Sequence, residues 1–206
     1  MIIKDIFNQY GLSIFSRLIK AGFRKIGIVY ETFYLLKYSI DKIYINQLFN
    51  RSDYVDVTEI IEKDICRIGF IDEKKYLLFK ERFKSGDYSC FAIEKDNEIQ
   101  YLTWISWKKM NYPGFFGKSE VLKVNQALLE DSFCSPKYRG KGYHSKMNIF
   151  RMKKILDSGK SEVLALVLKE NKPALKVQLK SGFNYYSRIR FIKIGKWNKT
   201  IQKLMK

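Results

Sequence analysis

A glycine-containing turn between a predicted strand and a predicted helix has the residue types of an anion-binding site. The strand ends at Pro136, and the helix that follows has Tyr143, Met147 and Phe150 on its inward face. The turn itself consists of Arg139, Gly140, Lys141 and Gly142. Glycine lets the backbone approach a ligand closely, and the unpaired N–H groups of a first helical turn favour a negative charge. The sequence therefore predicts a cradle for a diphosphate, with an ordinary tight turn at a helix start as the alternative.

The motifs of other phosphate-binding sites do not occur in the sequence. Neither GxxxxGK[ST] nor GxGxxG is present, so binding of a nucleoside triphosphate or a dinucleotide has no support. The basic side chains of Lys137, Arg139 and Lys141 are candidates for phosphate contacts. A solvated basic face is an equally good interpretation of these lysines.

Two motifs stand in the order and spacing of a known family. The first, written R/Q-x-x-G-x-G/A, aligns with Arg139, Gly142 and His144. The second, N-x-x-A followed by a helix and G-F, aligns with Asn171, Ala174, Gly182 and Phe183. On these residues the chain resembles the acyl-CoA N-acyltransferases of the GNAT superfamily over roughly residues 88–194. More loosely, it resembles acetyltransferases of bacterial surface-polysaccharide pathways.

The resemblance implies an enzyme that acylates a primary amine by direct attack in a ternary complex with acetyl-CoA or another acyl-CoA. It also implies that the strand before the turn splays from the next strand, so that its backbone pairs with the pantetheine arm. The implied cofactor contacts are Phe133, Ser135, Arg139, Gly140, Lys141, Gly142, Tyr143, His144 and Asn171. No metal is expected, because the chain has one histidine and its three cysteines lack CxxC spacing.

Glu130, a few residues before the turn, is the candidate general base. Several members of the family place a carboxylate here that accepts the amine proton directly or through water. A carboxylate in a partly apolar groove has its pKa raised toward the range useful for a base. Strand alternation places the adjacent Asp131 on the opposite face. A strand-end glutamate that faces solvent or pairs with a lysine is the alternative.

Two positions depart from the family pattern. Gln178 stands where a tyrosine often protonates the departing thiolate, and an amide cannot act as that acid. Water, Tyr185 or Tyr186 are the substitutes, or the thiolate leaves unassisted because its pKa is modest. His144 replaces a small residue, so its imidazole either contacts or crowds the diphosphate, or turns outward.

The charge of the chain predicts an anionic partner. Lys and Arg number 39 against 21 Asp and Glu, a formal net charge of +18. We therefore expect a small-molecule amine acceptor that is itself anionic, for example a nucleotide-linked amino sugar. Residues 109–119 are expected to form a loop over the site, with Tyr112, Phe115 and Phe116 available to stack on a base or sugar. The oligomeric state is not predicted.

The start of the chain lacks a basic export signal, and no run of about eighteen apolar residues occurs. These features predict a cytoplasmic protein with reduced cysteines. Residues 5–23 have the apolar spacing of an amphipathic helix with a basic flank. Packing of this helix on the rest of the chain is favoured, and a peripheral contact with a membrane is left open.

The residue patterns predict an α/β (α+β) fold. Strands are predicted within residues 25–45, a helix over 73–86, and a hairpin around Asp96-Asn97. The last ninety residues alternate strand, helix, strand, helix, strand, which indicates a central mixed sheet flanked by helices. The resemblance adds that this sheet is mostly antiparallel. An N-terminal helical and strand extension, residues 1–50, is expected to pack on an acyltransferase domain, residues 51–206.

Two alternatives belong to other classes of protein. Residues 74–84 and 188–199 interleave basic and aromatic side chains, as a nucleic-acid-binding module does. Their helical and strand spacing fits core aromatics with lysines outside better, so no stable nucleic-acid partner is expected. An aminoacyl-tRNA-dependent transferase of the same fold would also suit the charge, but such relatives generally lack the cofactor turn.

Overall fold

The computed structural model describes residues 19, 20 and 22–205. They form two compact units. The first contains the residues up to 35, together with 167–175 and those from 185 onward; the second contains 36–166 and 176–184. The proposed division into an extension of residues 1–50 and a domain of residues 51–206 stays a prediction. The helix expected over residues 5–23 lies mostly outside the described residues, of which 19, 20 and 22–25 are helical.

The described residues contain strands, α-helices and short 3-10 turns. The strands are β1 (Ile28–Ser39), β2 (Val57–Ile60), β3 (Tyr88–Lys95), β4 (Glu98–Ser106), β5 (Lys109–Asn111), β6 (Ser119–Val121), β7 (Gln126–Cys134), β8 (Glu162–Leu168), β9 (Asn184–Ile194) and β10 (Trp197–Leu204). The helices are α1 (Lys42–Asn50), α2 (Glu73–Ser85), α3 (Tyr143–Asp157) and α4 (Lys172–Lys180).

The second unit is built on a mixed, mostly antiparallel sheet with the strand order β8-β7-β4-β3-β2. The pairs β2–β3, β3–β4 and β4–β7 are antiparallel, and β7–β8 is parallel. Asp96 and Asn97 join β3 to β4 with positive φ values of 52° and 60°, as a two-residue hairpin turn requires. The predicted fold class and the predicted hairpin are confirmed.

Helices α2 and α3 cover opposite faces of this sheet. Phe79 of α2 packs on Trp104, with 4.9 Å between ring centroids, in a cluster that includes Cys90. Phe150 of α3 packs on Phe91, at 5.2 Å. Adjacent residues of a strand point to opposite faces of the sheet, so Cys90 lies on the α2 side and Phe91 on the α3 side. The helices predicted at both places are confirmed.

The local predictions were wrong at two places. Residues 42–50 form α1 rather than the end of a strand, because the Asp41 side chain caps the helix by accepting the Tyr44 N–H at 2.9 Å. Residues 109–119 are not simply a loop, since β5 and β6 pair there as a two-stranded sheet. Strands β2 and β10 had no counterpart in the sequence analysis.

The first unit contains strands in the order β10-β9-β1. Strands β9 and β10 form an antiparallel hairpin. In the same unit, Lys20 Nζ lies 3.2 Å from Glu31 and 2.6 Å from Glu170. Burial alone would lower the pKa of Lys20, but the two carboxylates outweigh it and raise this pKa. None of the helices in the described part of the chain is both long and apolar enough to cross a membrane.

Gly182, just after α4, packs closely against Tyr38 in the second unit. Its φ is +89°, and a Cβ there would lie 2.9 Å from Cε2 of Tyr38. Gly86 has φ +66° and open space around a Cβ, so it is a matched control. We expect Gly86→Ala to lower the free energy of unfolding by about 1–2 kcal/mol. Gly182→Ala should cost roughly another 1–3 kcal/mol because of the contact.

Urea unfolding of both variants measures this difference. Replacing Tyr38 by Leu should reduce the cost of Gly182→Ala to that of Gly86→Ala. Equal costs at Gly86 and Gly182 in the natural background would show that the Tyr38 ring moves aside freely.

Candidate functional site

Strands β7 and β8 separate partway along their length. Their parallel pairing runs from Gln126 and Glu162 to Leu129 and Ala165. Both strands continue beyond these residues, β7 to Cys134 and β8 to Leu168, without further pairing to one another in the described chain. The splay that the resemblance implied is present, and it opens one backbone edge of β7 from Glu130 onward.

Backbone hydrogen bonds show which groups of β7 face this open edge. The N–H of Ser135 donates to the carbonyl of Gln100 at 3.0 Å, on the β4 side. Neighbouring residues of a strand alternate in direction, so the N–H and C=O of Cys134 and Ser132 point away from β4. The backbone groups on the open edge are therefore those of Ser132 and Cys134, whereas the pairing predicted through Phe133 and Ser135 stays a prediction. The Phe133 side chain packs on Phe79, with 5.8 Å between ring centroids.

The turn after β7 is held open by glycines in left-handed conformations. Residues 136–138 form a 3-10 turn, and Gly140 and Gly142 follow with φ values of +81° and +76°. A Cβ built on either glycine would have no atom within 4 Å. Among the described residues, no atom thus crowds the Cβ positions of these two glycines.

Six consecutive N–H groups at this turn have no acceptor. In the described part of the chain, none of the amides from Gly140 to Ser145 donates a hydrogen bond, and no side chain caps α3. The first amide of the helix with a partner is that of Lys146, which donates to Gly142 at 3.1 Å. Unpaired amides at the positive end of a 15-residue helix suit an anion.

The basic side chains near the turn differ in their contacts. Lys137 forms an exposed ion pair with Glu98 at 2.7 Å, and the Tyr138 hydroxyl donates to the same carboxylate. Lys141 Nζ lies 4.7 Å from the centroid of the Tyr138 ring. Arg139 is exposed. Lys137 is therefore partly neutralised, whereas Arg139 and Lys141 form no ion pair within the described residues.

A β-bulge brings two carboxylates to one arginine. Thr103 pairs with Ser132 and Trp104 with Glu130, so Asp131 is the extra residue. Arg82 of α2 donates to Glu130 at 2.6 Å and to Asp131 at 2.8 Å. The expectation that Asp131 lies on the opposite face was wrong, because the bulge interrupts the alternation.

The Glu130 carboxyl is buried, with 9% of its side chain exposed. Burial raises the pKa of Glu130 to about 7, although Arg82 and the backbone N–H of Asn111 oppose this shift. Neither the solvent-facing side chain nor the lysine pair considered for Glu130 is present, since its partner is a buried arginine. A carboxyl group with this pKa exchanges a proton near neutral pH.

Arg151 of α3 forms hydrogen bonds to the backbone at the bulge. It is fully buried, and its Nη1 donates to the carbonyls of Trp104 and Glu130, each at 3.1 Å. Its Nη2 donates to Oδ1 of Asn148 at 2.6 Å. Burial lowers the pKa of Arg151 to about 10, so the group stays cationic at neutral pH. Arg151 thus fixes the backbone from which the Glu130 side chain projects.

The His144 side chain turns into the protein, so the outward orientation considered from the sequence was wrong. Nδ1 lies 3.1 Å from the Tyr101 hydroxyl, and Nε2 lies 3.5 Å from Nε2 of Gln178. Burial, with Arg151 nearby, lowers the pKa of His144 to about 4, so the ring is neutral at pH 7. Gln178, itself 5% exposed, accepts from Asn148 at 3.1 Å. Gln178 thus contacts neighbouring side chains, and its amide cannot serve as the acid that protonates a departing thiolate.

Three other predicted residues have clear positions. The Tyr143 hydroxyl donates to Gln100 at 2.6 Å. Asn171 lies in the first unit, where its side chain accepts the Ala174 N–H at 3.3 Å. Tyr112 and Phe116 are buried and stack on each other, at 5.1 Å between centroids, so the expectation of exposed rings was wrong for both. The Phe115 side chain lies outside what the structure describes.

Arg82 and Arg151 were missed in the sequence analysis. Each is a cation at helical spacing from an apolar residue on an inward face, Arg82 after Phe79 and Arg151 after Met147. A charged residue at such a position has to find buried acceptors, so this spacing was a usable signal.

Structural comparison supports the fold. No family model matches the sequence, and no curated protein matches it. The structure is similar to a GNAT-family acetyltransferase from Novosphingobium aromaticivorans, at 11% identity and a TM-score of 0.57, over 83% of this chain and 67% of that one. A GNAT-family acetyltransferase from Colwellia psychrerythraea gives 12% identity and a TM-score of 0.56, over 85% of this chain and 61% of that one.

A third neighbour is the aminoglycoside N-acetyltransferase AAC(6')-Iy, solved in complex with CoA. It gives 16% identity and a TM-score of 0.50, over 63% of this chain and 91% of that one. At these identities the similarity establishes the fold, and the chain has the fold of the GNAT acetyltransferases.

The raised pKa of Glu130 predicts a pH-dependent stability. Its pKa is about 7 in the folded protein against an ordinary value of about 4.5 for a glutamate exposed to water, so ionisation of the folded state is disfavoured. The stability from the protonated group is present below pH 4.5 and is lost as the pH rises through 7. Glu130→Gln removes this dependence. The free energy of unfolding of the variant, minus that of the natural protein, should rise by about 2.5 kcal/mol between roughly pH 5 and 8.

Urea titrations across this pH range provide the measurement. His144 is present in both proteins and cancels from the difference. Glu162→Gln is the control, because Lys37 and Gln126 lower the pKa of Glu162, which stays ionised throughout the range. A difference for Glu130→Gln that does not vary with pH would mean that Glu130 titrates as an ordinary carboxyl group.

Proposed function

We propose that this protein is an N-acyltransferase that moves an acetyl group, or another acyl group, from a CoA thioester to a primary amine. The observation that supports this most is the run of six amides, Gly140 to Ser145, that have no acceptor among the described residues of a chain with the GNAT fold. The two glycines of this run have open space around their Cβ positions. The proposal also draws on the neighbour solved with CoA. The looser resemblance to polysaccharide-pathway enzymes stays a prediction.

The residues of the turn suit the diphosphate of CoA. The amides from Gly140 to Ser145 would donate to phosphate oxygens, and Arg139 and Lys141 would add positive charge. The outward backbone groups of Ser132 and Cys134 would pair with the amide-bearing pantetheine arm, as an added strand does. When bound, acetyl-CoA supplies an activated acetyl thioester. Cofactor contacts by Phe133, Ser135, Tyr143, His144 and Asn171 stay predictions.

Glu130 is our candidate for the base that takes the amine proton. An amine attacks only when unprotonated, and a carboxylate with a pKa of about 7 accepts a proton in the physiological range. Arg82 holds Oε2 of Glu130 at 2.6 Å and so restricts the orientation of the carboxylate. Asp131, with 41% of its side chain exposed, lacks this burial.

We propose that the thiolate leaves without a dedicated acid from Gln178. The side-chain amide of Gln178 is not acidic enough to protonate a thiolate. The ordinary pKa of a thiol, about 8.5, makes the thiolate a tolerable leaving group without such an acid. Tyr185 and Tyr186, the substitutes considered from the sequence, lie exposed in the first unit. Their participation stays a prediction.

For the acceptor we propose a small anionic molecule with a primary amine. The net charge of +18 attracts anions and disfavours polyamines and other polycations. A nucleotide-linked amino sugar remains our example, although burial of Tyr112 and Phe116 removes two of the rings expected to stack on it. An aminoacyl-tRNA donor is disfavoured by the open glycine turn, which such an enzyme does not need.

Replacement of Gly142 tests the turn. Gly142→Trp places a large ring in the cradle, and isothermal calorimetry should show at least a tenfold loss of CoA affinity. Gly159, just after the end of the same helix, has φ +82° and open space around a Cβ, so Gly159→Trp shares the backbone strain. This control should bind CoA normally. CoA binding by Gly142→Trp as tight as by the natural protein would remove the turn from the site.

Replacement of Glu130 tests the base. In a thiol-release assay with acetyl-CoA and a panel of amines, Glu130→Gln should lower kcat/KM by about 100-fold or more. In the natural protein kcat/KM should rise with pH through about 7, and this rise should vanish in the variant. Asp131→Asn keeps Glu130 and is expected to lose little activity. Unchanged turnover in Glu130→Gln would exclude Glu130 as the base.

A further inference from the structure

The β9–β10 hairpin has one outward face, which we call the hairpin face. Ser187, Ile189 and Phe191 are fully buried, so the alternate residues of β9 point outward. Residues directly opposite one another in an antiparallel pair share a face, which places the odd-numbered residues of β10 beside them. The hairpin face consists of Arg188, Arg190, Ile192, Ile194, Trp197, Lys199, Ile201 and Lys203.

The hairpin face is rich in positively charged side chains. Residues 184–206 contain no Asp or Glu, and four of the eight residues of the face are Lys or Arg. Lys203 lies directly opposite Arg188, a like-charge pair that destabilises a hairpin unless an anion lies nearby. In the described chain, none of these four cations pairs with a carboxylate. Among the described residues, the face therefore has no anionic partner.

Large apolar side chains are exposed beside these cations. Ile194 is 55% exposed, Trp197 54% and Ile201 40%. Trp197 and Ile194 lie opposite one another next to the turn at Gly195, whereas the Lys203–Arg188 pair lies at the far end of the hairpin. The tip of the face is thus apolar, and its other end is cationic.

We propose that the hairpin face binds the surface of an anionic phospholipid bilayer. Lysines and arginines gain free energy near anionic headgroups, and tryptophan favours the membrane–water interface. Isoleucines beside the tryptophan suit the boundary between headgroups and acyl chains. A single-stranded nucleic acid would instead require flat rings on which bases stack, and two of the three exposed apolar residues are isoleucines. The face thus fits a lipid surface better than RNA or DNA.

Sedimentation with vesicles tests the proposal. The full chain should bind phosphatidylcholine vesicles that contain roughly one-third phosphatidylserine, and bind pure phosphatidylcholine far more weakly. Lys199→Glu/Lys203→Glu should lower the partition coefficient by about 30-fold or more. The control, Lys63→Glu/Lys74→Glu, makes the same change in net charge at exposed positions elsewhere and should lower it by less than about threefold.

Tryptophan fluorescence gives a second readout. Trp197 is exposed while Trp104 is fully buried, so binding should shift the emission to the blue through Trp197. Trp197→Phe should remove most of this shift. Lys199→Gln/Lys203→Gln should also weaken vesicle binding, and it replaces the charge reversal if that variant unfolds. Thiol release without vesicles should be unchanged in all hairpin variants, which separates this test from that of the proposed acyltransferase.

Three results would overturn the proposal. The first is no sedimentation with either vesicle, and the second is an equal loss in the hairpin and control double variants. The third is binding of a single-stranded RNA, or self-association in sedimentation velocity, that the hairpin variants abolish while vesicles remain unbound. In that case the face would belong to a nucleic acid or to a second copy of the chain.

Discussion

The guanidinium of Arg151 is fully buried beneath the bulge in β7, where it donates to the carbonyls of Trp104 and Glu130. A buried cation without acceptors costs several kcal/mol, so these bonds hold α3, β4 and β7 in one arrangement. The same group orients its neighbours. A guanidinium only donates, so Asn148 presents its oxygen to Arg151 and its amide nitrogen to the Gln178 carbonyl. The Gln178 amide then faces His144.

This arrangement keeps the two buried arginines in separate roles. Arg151 binds main-chain carbonyls from the α3 side, and Arg82 binds the Glu130 and Asp131 side chains from α2. Because Arg151 does not contact the Glu130 carboxylate, burial dominates there, and the pKa of Glu130 rises to about 7 in spite of Arg82. A second arginine on that carboxylate would stabilise its charged form and lower its proton affinity. At the bulge, the charge of Arg151 thus stabilises the backbone, whereas the proton affinity of Glu130 is determined mainly by burial and by Arg82.

The parts of the site that depend on short-range sequence could be predicted. The turn at Gly140 and Gly142, and the strands and helices around it, follow from local glycine and apolar spacing. The Arg82–Glu130 pair could not, because it joins residues 48 apart and depends on the bulge at Asp131. Helix α1 was missed because its β-branched and aromatic residues resemble a strand, and the Asp41 cap decides the outcome. Aromatic rings at Tyr112 and Phe116 looked available for a ligand, but they bury one another.

The amides of the turn that have no acceptor also affect hydrogen exchange in this part of the chain. Amide protons without an acceptor are not protected by the fold, so those from Gly140 to Ser145 should exchange with solvent deuterium much faster than their neighbours in α3. A ligand that accepted hydrogen bonds from these amides would slow that exchange. Deuterium uptake at these six amides would therefore report occupancy of the turn without an acceptor substrate or an activity assay.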